Sequence, residues 1–76
     1  MNPHQPVVSG RRLIKALEAD GWRVVRQRGS HARLRKTEAR SALVIPVHRE
    51  LKKGTLARIL REANLDADDL RRLLGR

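Results

Sequence analysis

Apolar side chains recur along this chain in two rhythms, and the change from one to the other divides it into elements. Leu13, Ile14, Ala16 and Leu17 fall on one side of a helix. Ser9 stands ahead of them as an N-cap, because its hydroxyl can accept from a free amide of the first turn, and Gly21 after Asp20 supplies the left-handed stop. A first helix is therefore predicted over about residues 10–20. Trp22–Arg28 and His31–Lys36 then read as strands, joined by Gly29-Ser30, a two-residue hairpin turn in which glycine takes the positive φ.

That turn sets a register. Arg28 is expected opposite His31, Gln27 opposite Ala32, Arg26 opposite Arg33 and Val25 opposite Leu34, each pair sharing a face. One face carries Val25, Leu34, Ala32 and Gln27 and suits packing on helices. The other carries Arg26, Arg28, His31, Arg33 and Arg35 beside Val24 and suits solvent. A slip by one residue would exchange the two sets and bury arginines. Ala42–Val47 is an apolar third strand, with Pro46 near its end, where a missing donor is tolerated at a sheet edge. Helical spacing returns with Leu56, Ile59, Leu60 and Ala63. Asn64 can close that helix, and Asp66 can cap a last one holding Leu70, Leu73 and Leu74. The order α-β-β-β-α-α predicts an α+β fold, a three-stranded antiparallel sheet with its helices on one face. Residues 1–76 are expected to form a single domain, with Met1–Val8 as a loose N-terminal arm.

Charge narrows the partners. The chain has 18 Lys plus Arg against 8 Asp plus Glu, a net +10, which in so small a domain points to a polyanion such as nucleic acid. Residues 1–53 hold 13 basic and 4 acidic side chains and residues 54–76 hold 5 and 4, so the excess lies where the hairpin lies. No cysteine is present, hence no disulfide staple, and a protein partner is the expected support for a core this small. The longest apolar run, Ala42–Ile45, is far too short to cross a bilayer, so a cytoplasmic protein without a membrane role is expected. Trp22 is the only aromatic residue. Sheet readers of single-stranded RNA use several exposed rings, and a recognition helix opening with Asp66, Asp68 and Asp69 would push acids at phosphates.

Among the candidate reactive groups His31 stands first. It follows the hairpin turn on the face of Arg26, Arg28, Arg33 and Arg35. Neighbouring cations favour the neutral form of an imidazole, which can take a proton from a ribose 2′-hydroxyl while guanidinium groups hold the phosphate. The plainer alternative is a surface histidine that only helps bind phosphate. His48, after the third strand, suits a turn or cap, and His4 lies in the arm. No histidine pair has metal-site spacing and the carboxylates do not cluster with histidine, so no metal and no cofactor is expected. Lys52-Lys53-Gly54-Thr55 opens the penultimate helix. It serves either as a phosphate seat or as two solvated lysines ahead of a Thr55 cap.

These residues resemble the HicA family of toxin–antitoxin mRNA interferases over about residues 9–74. The likeness runs from Ser9-Gly10 and Gly21-Trp22 through Gln27-Arg28-Gly29-Ser30-His31 and Ile45-Pro46-Val47-His48 to Glu50-Leu51-Lys52-Lys53-Gly54-Thr55-Leu56. The resemblance implies a fold like the double-stranded-RNA-binding domain. It implies a type II system toxin that cleaves mRNA without the ribosome, with the hairpin histidine, here His31, required. It also implies a HicB-type antitoxin that covers the active face and brings any DNA binding with it. Arg26, Arg28, Arg33 and Arg35 are then the expected RNA contacts, Lys52 and Lys53 outer ones, and Gly29-Ser30 the turn that presents the catalytic residue. A non-catalytic double-stranded-RNA-binding module using the same basic face is the alternative.

Overall fold

The structure, a computed structural model, describes residues 8–75. Its elements are α1 (Gly10–Ala19), β1 (Arg23–Arg28), β2 (His31–Arg35), β3 (Leu43–Pro46), α2 (Lys53–Glu62) and α3 (Ala67–Leu74). This is the predicted α-β-β-β-α-α order. The three strands form one antiparallel sheet with β2 in the middle. Burial alternates along β2 and β3: Ala32, Leu34, Leu43 and Ile45 are buried, whereas His31, Arg33, Arg35 and Val44 are exposed. The covered side meets Leu13, Ala16 and Leu17 of α1, Leu56, Ile59 and Leu60 of α2, and Leu70 of α3 in one apolar cluster.

The caps follow the side-chain chemistry. Ser9 accepts from the Arg12 amide at 3.2 Å, and Gly21 stops α1 with φ +102°. Asp66 and Asp69 exchange hydrogen bonds at the start of α3, a reciprocal capping box in which each carboxylate accepts from the other's amide. Asn64, at φ +61°, turns the chain out of α2.

Three expectations are corrected. Thr55 is not the cap of α2, because the helix starts at Lys53 and its N-cap, Lys52, makes no side-chain cap bond. The N-terminal arm ends sooner than Val8. That residue is buried, and its carbonyl accepts from the Leu51 amide at 3.0 Å, beside a bridge between Ser9 and Glu50. The expectation for residues 1–7 lies outside the described residues.

The third correction concerns β1. The pairs Arg28–His31, Gln27–Ala32 and Arg26–Arg33 stand as predicted, but Leu34 faces Val24 and Arg35 faces Arg23. Val25 is the extra residue of a β-bulge. An unbroken alternation would have turned Trp22 toward the arginine face. With the bulge it turns inward, where it is 2% exposed. Covering a tryptophan removes about 150–250 Å² from water, or about 4–6 kcal/mol as an upper bound. Placing Val25 instead of Val24 inward brings little, because both sit on an edge strand at 49% and 39% exposure. Gln27, expected on the covered face, is likewise exposed, as is all of β1.

Candidate functional site

The outward face of the sheet is a small grid fixed by register. Arg28, His31 and Pro46 stand side by side in one row, Arg26, Arg33 and Val44 in the next, and Arg23 opposite Arg35 in a third. Rows lie two residues apart, about 7 Å, and neighbouring strands about 5 Å. Five arginines and one histidine thus share a single solvent-facing surface.

His31 owes its place to the turn before it. Gly29 adopts φ +58°, which L side chains rarely take, and Ser30 is tied to the third strand: its carbonyl accepts from the Val47 amide at 2.7 Å. The far end of β3 is held in turn by α1. Gly10 donates to the Arg49 carbonyl at 2.9 Å, and a Cβ at Gly10 would stand 1.7 Å from the Pro46 carbonyl oxygen. The row carrying His31 is therefore anchored on both sides.

Arg26, Arg28, His31, Arg33 and Val44 line a shallow open depression of about 230 Å³. No carboxylate is in its lining. The ion pairs of the described residues are Lys36–Asp20, Arg58–Glu62, Arg71–Asp68 and Arg72–Asp69, so none neutralises this surface. Guanidinium groups crowded without counter-charge favour an anion, and their planar forks suit phosphate oxygens. Among the described residues there is no group of three or more metal-ligating side chains.

The structure brings together Arg26, Arg28, His31 and Arg33 of the predicted set. Arg35 shares the face, but it is four residues along β2 from His31, about 13 Å, and does not line the depression. Lys52 and Lys53 are exposed at the start of α2 and His48 in the turn after β3, all outside the depression. His4 lies outside the described residues. Three members of the face were missed, Pro46 beside His31 among them. Val44 was legible from alternation, since Leu43 and Ile45 on either side are buried. Arg23 was not, because only the bulge turns it outward. A second cavity, about 470 Å³, lies between the β2–β3 connection and the end of α2; charges of both signs line it, including the Asp20–Lys36 pair.

Among the described residues no helix is long and apolar enough to cross a membrane. The family described as the HicA toxin of bacterial toxin-antitoxin matches residues 10–65, a stretch that includes the whole sheet and α2. No individually curated protein matches the chain.

Proposed function

Because the chain belongs to the HicA toxin family of bacterial toxin–antitoxin systems, we propose that it is the endoribonuclease toxin of a type II system, cutting mRNA without ribosome or metal, with His31 as its general base. The observation that carries this reading is an exposed imidazole ringed by three guanidinium groups and no carboxylate. RNA supplies its own nucleophile. A 2′-hydroxyl tethered beside the scissile phosphate needs only a base to take its proton, here His31, and cations to offset the charge gathering on phosphorus-bound oxygen, here Arg28 with Arg26 or Arg33. The 2′-oxygen–phosphorus bond forms as the 5′-oxygen–phosphorus bond breaks, which leaves a cyclic phosphate and a 5′-hydroxyl. Solvent, to which the depression is open, protonates the departing oxygen.

Family membership carries an antitoxin partner. A HicB-type antitoxin would silence the toxin by laying acidic side chains over the arginine grid, and any DNA contact of the pair would run through that partner. Arg35, Lys52 and Lys53 extend the basic surface as outer RNA contacts.

The test uses purified protein and single-stranded RNA in a chelating buffer, beside a DNA strand of the same sequence. RNA fragments ending in cyclic phosphate, with the DNA intact, are expected. Intact RNA that is nonetheless retained by the protein would leave a binding module on the same face and end the catalytic reading.

A further inference from the structure

We propose that the row Arg26–Arg33–Val44 seats the base of the reacting nucleotide and prefers uracil and guanine, which carry a keto oxygen at O4 or O6, over cytosine and adenine, which carry an amino group at the equivalent N4 or N6. This rests on the endoribonuclease reading above and adds a substrate preference to it.

Each guanidinium offers N–H donors and no acceptor. The acceptor nitrogen that His31 uses as a base is taken by the 2′-hydroxyl in the reaction proposed. Backbone acceptors of β2 are spent as well, since it is the central strand and pairs on both sides. The remaining side chains of the depression are donors around one apolar group, Val44, which is 50% exposed, and the unpaired backbone of the edge strands β1 and β3 lies along the rims of the sheet. Uracil meets such a lining with O4 and guanine with O6 and N7; cytosine and adenine place an amino donor at the equivalent position, where it finds no acceptor.

Geometry separates the two tasks. The row with His31 and Arg28 handles the hydroxyl and phosphate, and the row with Val44 lies about 7 Å away along the strands, room for the base of the same nucleotide. Trp22, the sole aromatic, is buried. A base on this face therefore rests on Val44 and on guanidinium planes, which stack on bases as aromatic rings do elsewhere.

The experiment uses strands of 2′-O-methyl nucleotides with one free ribonucleotide, the only position that can be cut, and an unmodified strand of mixed sequence as reference. Uridine is compared with cytidine, and inosine with adenosine, since each pair differs at the keto or amino edge. The expected kcat/KM is about tenfold higher for uridine and for inosine, and cuts in the reference strand fall after uridine and guanosine. A cut reference with equal or reversed ratios overturns the inference. An uncut reference overturns the endoribonuclease reading itself. Val44→Gln places an amide, the usual partner of adenine, in the seat and is expected to narrow the inosine-to-adenosine ratio about threefold or more; an unchanged ratio removes Val44 from it.

Discussion

Replacing Gly10 with alanine tests the link between α1 and the reactive row. In most helices this change is favourable, since glycine costs about 0.5–1 kcal/mol relative to alanine. Here the new Cβ would stand 1.7 Å from the Pro46 carbonyl oxygen, 2.7 Å from its carbon and 3.1 Å from the Val47 Cα, where separations below 3.0 Å essentially never occur. Both partners are backbone, so no side chain can swing aside. Relief requires α1 and β3 to part by more than about 1 Å, and overpacking of this kind costs about 1–3 kcal/mol. The bond from Gly10 to Arg49 lies across this junction, and the bond from Val47 to Ser30 joins the residue after Pro46 to the hairpin turn, so both are disturbed when β3 shifts. Weakening them adds about 1 kcal/mol each. A net loss of about 3 kcal/mol lowers the melting temperature of so small a domain by about 12–24 °C. Circular dichroism and the fluorescence of Trp22 report it, with Gly54→Ala as control, because nothing lies within 4 Å of a Cβ at Gly54. The control is expected to melt at the parent temperature or a few degrees above. Gly10→Ala melting within about 2 °C of the parent would refute the proposed close approach, and with it the anchoring of the row that carries His31.

Other outcomes follow from the same structure. Val25→Ser is expected to cost under about 0.5–1 kcal/mol in thermal unfolding, because Val25 is the bulged, half-exposed residue; a loss near 3 kcal/mol would restore the unbulged register. Deleting Val25 is expected to be tolerated, since it removes the extra residue and leaves Val24 opposite Leu34 with Trp22 still inward; an unfolded product in the same assay would contradict the bulge. The Asp69 carboxyl is held below the ordinary aspartate value, first by the Asp66 amide that donates to it and then by Arg72. Its contribution to stability is complete above the unfolded value, about 3.9, and is lost as pH falls through the lower folded value. Melting temperature plotted against pH is expected to fall in that acid window for the parent and less steeply for Asp69→Asn.

Most of the fold was legible because its local signals agree with one another. Ser9, Gly21, Gly29-Ser30 and Asp66 each specify a boundary through hydrogen bonding or a positive φ, and the apolar spacing between them has room for one reading. The hairpin register held from the turn to Arg26, where pairing is set by turn geometry alone. It failed beyond, where a distant demand, the burial of Trp22, outweighs the preference for unbroken pairing. Sequence alternation treats each residue as an equal vote, whereas burying Trp22 outweighs the exchange of one half-exposed edge valine for another. The Thr55 cap failed for a related reason: a good capping side chain does not fix a helix start when the preceding residues also fit the helix. For the site, the cluster around His31 was visible because turn and strand put those residues together locally. Alternation gave the outward side of Val44 but not its place beside Arg33, which needed the third strand's pairing, and Gly10's role needed the approach of two elements far apart in sequence, which no local pattern records.

The central claim is that the imidazole of His31, held out by a glycine–serine turn among guanidinium groups, is what breaks RNA. The most direct measurement is the initial rate at which His31→Ala cuts single-stranded RNA in chelator, compared with the parent at matched folded fraction. Loss of a general base predicts a fall of about a hundredfold or more, with melting temperature and RNA affinity little changed. A mutant rate within a few-fold of the parent would contradict the claim.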